Sequence, residues 1–289
     1  MMFYGTSAAQ GIPSPFCRCK VCENARKIGE KEIRRRTMFR LSEHICIDLG
    51  ADAFQMAIEL GDFYALQYVL VTHTHEDHLA HMMMNIRKMS TVITPEPLNF
   101  YLTDKAYEIA DFYRNSPPII KGKTAELEAE GIIAFHKLEF GQSYQIGNMT
   151  VKPLKGNHTG NMGENSANYL ITLPSGKTLF YGLDTGWYLD ETFAALENAQ
   201  IDIFIGEGTF GLMQGRDKYP DSHMDAASNL LLFEELIARR AVTPQTDVYL
   251  THISHATTHA QLEAFFAKAS TPFEHPVTIA YDGMKLRDR

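Results

Sequence analysis

The hexapeptide HTHEDH restricts what this chain can fold into more than any other segment. It follows the apolar run LQYVLVT and supplies four ligand side chains, His73, His75, Asp77 and His78. Gathering so many ionisable groups beside a buried strand is unfavourable, through repulsion and desolvation, unless a cation offsets it. Imidazole and carboxylate groups suit zinc, manganese or iron, and one tetrahedral zinc would not need all four. The segment therefore predicts a loop at a sheet edge that holds two divalent ions.

Three further ligand candidates each follow a β-like run later in the chain. They are His158 after PLKGN, Asp184 after LFYGL, and His252 after VYLT. Taken singly, a polar residue at a strand end is more often structural than ligating. Taken together and in this order, the three complete the ligand set that two ions need.

A second cluster of metal ligands lies near the N-terminus, where CRCKVC supplies Cys17, Cys19 and Cys22. A closed structural zinc site needs four ligands, and Cys46 lies in an apolar strand and is expected in the core. His255 in LTHISH lies three residues after His252 and offers the fourth ligand. We therefore predict a zinc loop over residues 13–24, with unligated surface thiols as the alternative.

The order of elements predicts an α/β fold with two stacked sheets covered by helices, a four-layer αββα sandwich. The 289 residues are 45% apolar and suit a single domain over residues 1–289. Residues 95–131 have the weakest strand pattern, and we predict a helical insertion there that can cover a cleft. The N-terminal residues show no secretory signal, and the clustered thiols indicate a reduced, cytoplasmic protein.

Charge and hydropathy limit the classes of partner. The formal net charge of −8 and the single basic run RRR disfavour a nucleic-acid partner. No apolar window approaches the roughly 20 residues that span a membrane, so we expect no membrane partner. The sequence is compatible with a homodimer and does not decide the question. The basic run, Arg34, Arg35 and Arg36, can hold a substrate phosphate, although a solvated patch explains it equally well.

The full ligand set resembles the metallo-β-lactamase superfamily, whose fold is an αββα sandwich. The resemblance implies a first ion held by His73, His75 and His158. It implies a second ion held by Asp77, His78 and His252, and a carboxylate, Asp184, that bridges the two. Flavodiiron oxygen reductases of this superfamily carry glutamate where this chain has His75, so the resemblance favours hydrolysis over redox chemistry. Asp77 can also act in catalysis by orienting the nucleophile.

The N-terminal cysteines, LTHISH and the final AYDGM resemble one branch, the phosphoribosyl 1,2-cyclic phosphodiesterases. That resemblance implies a structural zinc on Cys17, Cys19, Cys22 and His255. It also implies two active-site ions, zinc or manganese. The same N-terminal pattern is similar to a family of pyrroloquinoline quinone biosynthesis proteins, and so it does not fix a substrate.

A final pair of residues, Glu207 in GEGTF and His223 in PDSHMDA, points to phosphoester chemistry. The pair resembles the proton-donating dyad of the tRNA 3′-processing endonucleases, and expelling an alkoxide needs a proton donor. The alternative is a structural one, in which His223 caps the following helix and Glu207 is a surface acid at a strand end. The sequence thus predicts a dinuclear phosphodiesterase acting on a small cyclic or nucleotide-like ester. The alternatives are a lactone, thioester or β-lactam hydrolase, and a non-hydrolytic accessory protein of cofactor biosynthesis.

Overall fold

The computed structural model describes residues 1–116 and 123–286. Thirteen strands lie in these two ranges. In chain order they are β1 (Met2–Gly5), β2 (Met38–Arg40), β3 (Ile45–Ile47), β4 (Tyr68–Leu70), β5 (Leu98–Thr103), β6 (Ile133–Leu138), β7 (Tyr144–Ile146), β8 (Met149–Thr159), β9 (Asn165–Thr172), β10 (Thr178–Gly182), β11 (Ile201–Glu207), β12 (Val242–Thr251) and β13 (Thr278–Ile279).

In the same two ranges, eight α-helices lie between strands, and two 3₁₀ turns lie at Glu30–Glu32 and Asp104–Tyr107. The α-helices are α1 (Lys20–Ile28), α2 (Ala53–Leu60), α3 (His81–Met89), α4 (Glu108–Asn115), α5 (Lys123–Ala129), α6 (Asp190–Leu196), α7 (Ala226–Ala238) and α8 (His259–Phe266). The polar residue before a helix fixes the start of the last two, because Asp225 accepts from Ser228 N and Thr258 forms a capping box with Gln261. Within the described ranges, no helix combines the length and apolarity that a bilayer crossing requires.

The strands form two mixed sheets. The first has the order β1-β2-β3-β4-β5-β6, and the second has the order β13-β12-β11-β10-β9-β8-β7. Strands β3 to β6 are parallel in the first sheet, and β10 to β13 are parallel in the second. The carboxyl ends of parallel strands are the usual place for a ligand site in an α/β protein.

The core consists of three apolar layers. Between the sheets, Phe39 from the first stacks on Tyr181 from the second with ring centroids 5.7 Å apart. Met56 of α2 and Met84 of α3 are buried on the outer face of the first sheet. Phe233 of α7 is buried on the outer face of the second. Helices therefore cover both sheets, and the predicted four-layer αββα sandwich is confirmed.

Residues 95–131 differ from the predicted helical insertion. Strand β5 lies in this segment and pairs with β4 and β6 inside the first sheet. Leu98, Phe100 and Leu102 alternate towards the core with period two, a strand pattern that the aromatic-rich sequence obscured. Helices α4 and α5 follow and bury Ile109 and Leu127 against the sheet, so the described part of the segment is a core layer. Residues 117–122 of the predicted insertion lie outside the described residues.

Candidate metal centre

The histidine-rich segment forms a loop at the edge of the first sheet, as predicted. It follows β4, and the facing strand β9 ties it to the second sheet. Tyr169 Oη donates to Val71 O at 2.6 Å, and Ala167 N donates to Thr72 O at 2.7 Å. The other sheet contributes ligand candidates from β8 and from the ends of β10 and β12. The carboxyl ends of parallel strands in the two sheets thus lie close together at one place between the sheets.

Strained backbone marks three residues at this point. Asp48, Asp184 and His252 each follow a strand, and their φ angles are 63°, 47° and 56°. Positive φ is unfavourable for residues with a Cβ, and it persists where the surrounding structure fixes it. All three side chains are almost fully buried. The strand ends are therefore shaped to aim these side chains inward.

Four of the clustered imidazoles are oriented by an oxygen on one ring nitrogen. His78 Nδ1 lies 2.6 Å from Asp48 Oδ2, and His158 Nδ1 lies 2.7 Å from Ser222 Oγ. His73 Nδ1 and His252 Nδ1 lie 3.1 and 2.8 Å from threonine hydroxyls. Such contacts fix the ring and leave Nε2 free to ligate. His75 presents the other nitrogen, since its Nδ1 lies 2.8 Å from His73 Nε2 and 3.3 Å from His158 Nε2.

Asp184 lies at the centre of the cluster. Its Oδ2 lies 3.3 Å from His73 Nε2 and 3.3 Å from His78 Nε2, and its Oδ1 lies 2.8 Å from His252 Nε2. Burial opposes ionisation of this carboxyl, but His252 and His78 hold its pKa well below the usual range. A carboxylate between two groups of imidazoles has the placement that a bridging ligand needs.

The donor atoms fall into two sets that each suit one ion. The first set is His73, His75, His158 and Asp184, and the second is Asp77, His78 and His252. In each set the ligand atoms lie within 4.8 Å of one another.

The chemistry of these residues fits divalent metal. His78 Nε2, His252 Nε2 and Asp184 Oδ1 are buried and make no hydrogen bond, although each atom lies within ion-pair distance of an oppositely charged group. Burial lowers the pKa of His73 well below its ordinary value and that of His158 to about 4, so both rings are neutral with a lone pair to offer. Buried polar atoms aimed at one point without hydrogen bonds are what a cation would satisfy.

A buried carboxylate that sequence reasoning missed fixes the loop between the first two histidines. Glu164 accepts from Thr74 N at 2.8 Å, from Thr74 Oγ1 at 2.5 Å and from Met162 N at 2.9 Å. Asn161 Nδ2 donates to Thr74 O at 2.9 Å. The turn after His158 therefore holds the HTH segment in place. The available signal was a glutamate six residues after a ligand histidine in the otherwise neutral turn GNMGEN.

The structure brings the predicted Glu207 and His223 together beside the cluster. His223 Nδ1 lies 3.0 and 3.2 Å from the two carboxylate oxygens. Thr209 Oγ1 donates to Glu207 Oε2 and contacts His252 Nδ1 at 2.8 Å, so one carboxylate organises two histidines. Burial lowers the pKa of His223, but the Glu207 charge and hydrogen bond outweigh burial and raise it to about 9. No local pattern in the sequence indicated the contacts of Thr209 with Glu207 and His252.

The three N-terminal cysteines meet His255, as the sequence predicted. Their sulfur atoms and its Nδ1 lie within 4.8 Å of one another, and Cys22 Sγ lies 3.5 Å from that nitrogen. All four cysteines of the chain are free thiols. Backbone amides donate to Cys22 Sγ and Cys17 Sγ at 3.3 and 3.4 Å, and burial raises the pKa of the Cys22 thiol to about 11 despite its hydrogen bond from Ser14 N. Three sulfurs and one imidazole form a donor set that suits zinc.

The arginine run lies apart from this centre. Arg34 is buried and makes its hydrogen bonds in the interior, while Arg35 and Arg36 pair with Asp282 and Asp52 at 3.2 and 2.5 Å. None of the three lines the cavity above the histidines. These contacts place the arginines in structural roles, contrary to the prediction that they bind a substrate phosphate.

Residues 45–253 match the model of a family described as the beta-lactamase superfamily domain. The match spans most of the chain and includes all seven candidate ligands. The chain belongs to this superfamily. The resemblance to the metallo-β-lactamase superfamily inferred from the sequence is thereby confirmed. No curated protein sequence matches the chain.

Solved structures of this superfamily fold cover almost the whole chain. A structure described as a new diphosphatase from the PhnP family has a TM-score of 0.69 and 18% identity, and the alignment covers 100% of this chain and 97% of that one. Zinc-bound PqqB from Methylobacterium extorquens has a TM-score of 0.70 and 15% identity, with 99% of both chains covered. The short form of human tRNase Z has a TM-score of 0.59 and 17% identity, with 98% and 96% covered. Identities this low establish a shared fold and leave the reaction open.

Proposed function

We propose that this chain is a hydrolase that uses two divalent metal ions, zinc or manganese, to cleave a small phosphodiester. The observation that carries this proposal is the Glu207–His223 pair, whose histidine lines the same cavity as five of the seven candidate ligands, namely His75, Asp77, His158, Asp184 and His252. The fold shared with a PhnP-family diphosphatase and with tRNase Z also supports it. A histidine held by a carboxylate can donate the proton that an alkoxide needs when it leaves a phosphorus atom.

The proposed ligand assignment follows the two sets of donor atoms. His73, His75 and His158 would hold the first ion, Asp77, His78 and His252 would hold the second, and Asp184, which lies between the two sets, would serve both. Two such ions, when bound, lower the pKa of a water towards neutrality and neutralise charge on the phosphoryl oxygens. Asp77 lines the cavity with its Oδ2 3.3 Å from His78 Nε2, a position from which it also orients the nucleophile.

His223 is the proposed proton donor. Its Nδ1 donates to Glu207, so the proton on Nε2 is available to the leaving oxygen. The ring lies next to two proposed ligands, with centroids 4.8 Å from His158 and 5.5 Å from His252. With a pKa raised to about 9 by Glu207 against burial, the ring is protonated at neutral pH. Glu207 therefore both orients the donor and keeps it charged.

The test compares leaving groups in a His223→Ala variant. An alkoxide needs the proton and p-nitrophenolate does not, so we expect kcat to fall about 10²–10⁴-fold on ribose 1,2-cyclic phosphate and much less on bis(p-nitrophenyl) phosphate. His275→Ala, at an exposed histidine, serves as the matched control. Equal losses on both esters would reject the donor role.

Metal analysis of the same variant separates donor from ligand. A nitrogen of His223 lies within 4.8 Å of ligand atoms of Asp184 and His252, so a ligand role is geometrically available. The donor role predicts that His223→Ala retains both active-site ions. Loss of one ion would assign His223 to the metal instead.

Two other functions make different predictions. A lactone, thioester or β-lactam hydrolase of the same fold would keep most of its activity in His223→Ala, because its leaving groups need less protonation. A non-hydrolytic accessory protein, favoured by the fold shared with PqqB, would bind metal without turning over generic phosphodiesters. Assays on these substrates with metal-loaded protein distinguish the three.

The cysteine cluster is proposed to hold a structural zinc through Cys17, Cys19, Cys22 and His255. Four free thiols in one chain favour a reducing, cytoplasmic location. The proposed partner is a small phosphoester, and a homodimer is compatible with the proposal. The resemblance to the cyclic phosphodiesterase branch extends to these cysteines and to LTHISH.

A further inference from the structure

The cavity above the histidines has two chemically different walls. Its volume is about 480 Å³, within the range of small-molecule sites. Proposed ligands and His223 form one wall. Small or apolar residues contribute much of the rest, namely Ala8, Ala9, Phe210, Met213 and Ala256.

This cavity offers no cationic side chain to a second phosphate. Among the described residues that line it, none is lysine or arginine. The arginine run makes its contacts elsewhere and lines a different cavity, and the Arg216 guanidinium lies against the Phe210 ring and donates to His223 O at 3.3 Å. A second phosphate in the cavity would therefore have no basic partner to offset its desolvation.

Phe210 is fixed in position as a half-buried aromatic surface. Its backbone nitrogen donates to Met224 O at 3.0 Å, and its carbonyl oxygen accepts from Met213 N at 3.0 Å. The Arg216 guanidinium carbon lies 3.6 Å from the ring centroid and covers one face. Phe210 lines the cavity, whereas Arg216 does not. The part of the Phe210 ring that Arg216 leaves uncovered is therefore available to a bound molecule. The ring lies 5.8 Å from the His223 ring, next to the proposed proton donor.

We infer that the substrate carries an aromatic, otherwise uncharged group that stacks on Phe210, with Met213 completing the apolar wall. The substrate class is an aryl or nucleoside phosphodiester with one phosphorus, in preference to a phosphorylated sugar. The inference rests on the proposed function. It deepens that proposal, because the metal centre alone does not distinguish these esters. Phe210 is the specificity-determining residue in this account.

The test measures binding of product-like monoesters to the metal-loaded protein by calorimetry. Phenyl phosphate and adenosine 3′-monophosphate provide the two aromatic sources, and glycerol 3-phosphate lacks a ring. Stacking on an aromatic side chain predicts that at least one aromatic ester binds about tenfold more tightly than glycerol 3-phosphate. Which of the two gains affinity identifies an aryl group or a nucleobase. Ribose 1,5-bisphosphate is expected to bind no more tightly than glycerol 3-phosphate.

A Phe210→Ala variant locates the effect. It should remove the aromatic preference and leave the affinity for glycerol 3-phosphate unchanged, while Phe112→Ala, at an exposed phenylalanine of α4, should change neither. Equal wild-type affinity for all monoesters, or tighter binding of the bisphosphate, would overturn the inference even if the variant failed to fold. An equal loss for all ligands in Phe210→Ala would also overturn it.

Turnover of bis(p-nitrophenyl) phosphate by the same protein tells the two failures apart. Hydrolysis without an aromatic preference in binding rejects the inference and keeps the proposed function. An aromatic preference without hydrolysis rejects the proposed function and keeps the ligand class of the cavity.

Discussion

Glu164 is predicted to hold the HTH segment of the metal loop in place, although it belongs to neither set of ligands. Glu164 is 1% exposed, and its carboxylate accepts three hydrogen bonds, two of them from Thr74, which stands between His73 and His75. In Glu164→Ala two buried donors of Thr74 and the amide of the half-buried Met162 lose their acceptor, with an expected loss of about 4 kcal/mol in unfolding free energy. Glu164→Gln keeps the shape of the side chain, but each donor then faces either an amide nitrogen or an uncharged oxygen. The expected loss in unfolding free energy is about 2 kcal/mol.

The assay is denaturant unfolding of metal-free protein, with calorimetric titration of zinc as a second readout. Removing a group that orients ligands weakens metal binding about 10–100-fold in known sites. Glu164→Gln should lower the affinity for the first ion by a similar factor. Glu139→Gln, at an exposed glutamate, is the matched control. If Glu164→Gln unfolds and binds zinc like that control, the reasoning about the loop is refuted.

The remaining predictions concern the neighbouring groups. Asp48→Asn should lower the affinity for the second ion about 10–100-fold, because Asp48 Oδ2 lies 2.6 Å from His78 Nδ1 and orients that ring. An unchanged zinc titration would contradict this. With the pKa of His223 raised to about 9 by Glu207 against burial, kcat on an alkyl ester should fall as pH rises past about 9, where the donor loses its proton. That limb should vanish in His223→Ala. Cys22→Ala should release one zinc and lower thermal stability while leaving two ions in the active site, as metal analysis and thermal unfolding would show.

Much of the metal centre could be predicted from sequence because its signals are local. HTHEDH places four candidate ligands in six residues, and a loop after a strand leaves few ways to arrange them. His158, Asp184 and His252 were found because each follows a strand-like run. The approach of His255 to the cysteines was predicted from the chemical need for a fourth ligand. The assignment of these residues as ligands stays a prediction until metal is measured.

Other features depend on contacts that no local pattern reveals. Glu164 contacts Thr74 across 90 positions of sequence, and its role depends on how the turn after β8 lies against the loop after β4. The arginine run was assigned to substrate because its carboxylate partners, Asp282 and Asp52, are remote in sequence. Strand β5 was missed because its short run LNFYLT, with two adjacent aromatic residues, suits a helix or a strand. Tertiary pairing within the sheet decides between the two.

The central claim is that two metal ions at this centre hydrolyse a phosphodiester. The most direct measurement is turnover of bis(p-nitrophenyl) phosphate by protein reconstituted with zinc or manganese, with metal content determined on the same sample and Asp184→Asn as the control. The account predicts metal-dependent hydrolysis, two ions per chain beyond the cysteine zinc, and loss of most activity in Asp184→Asn. Two bound ions without hydrolysis, or full activity in that variant, would contradict it.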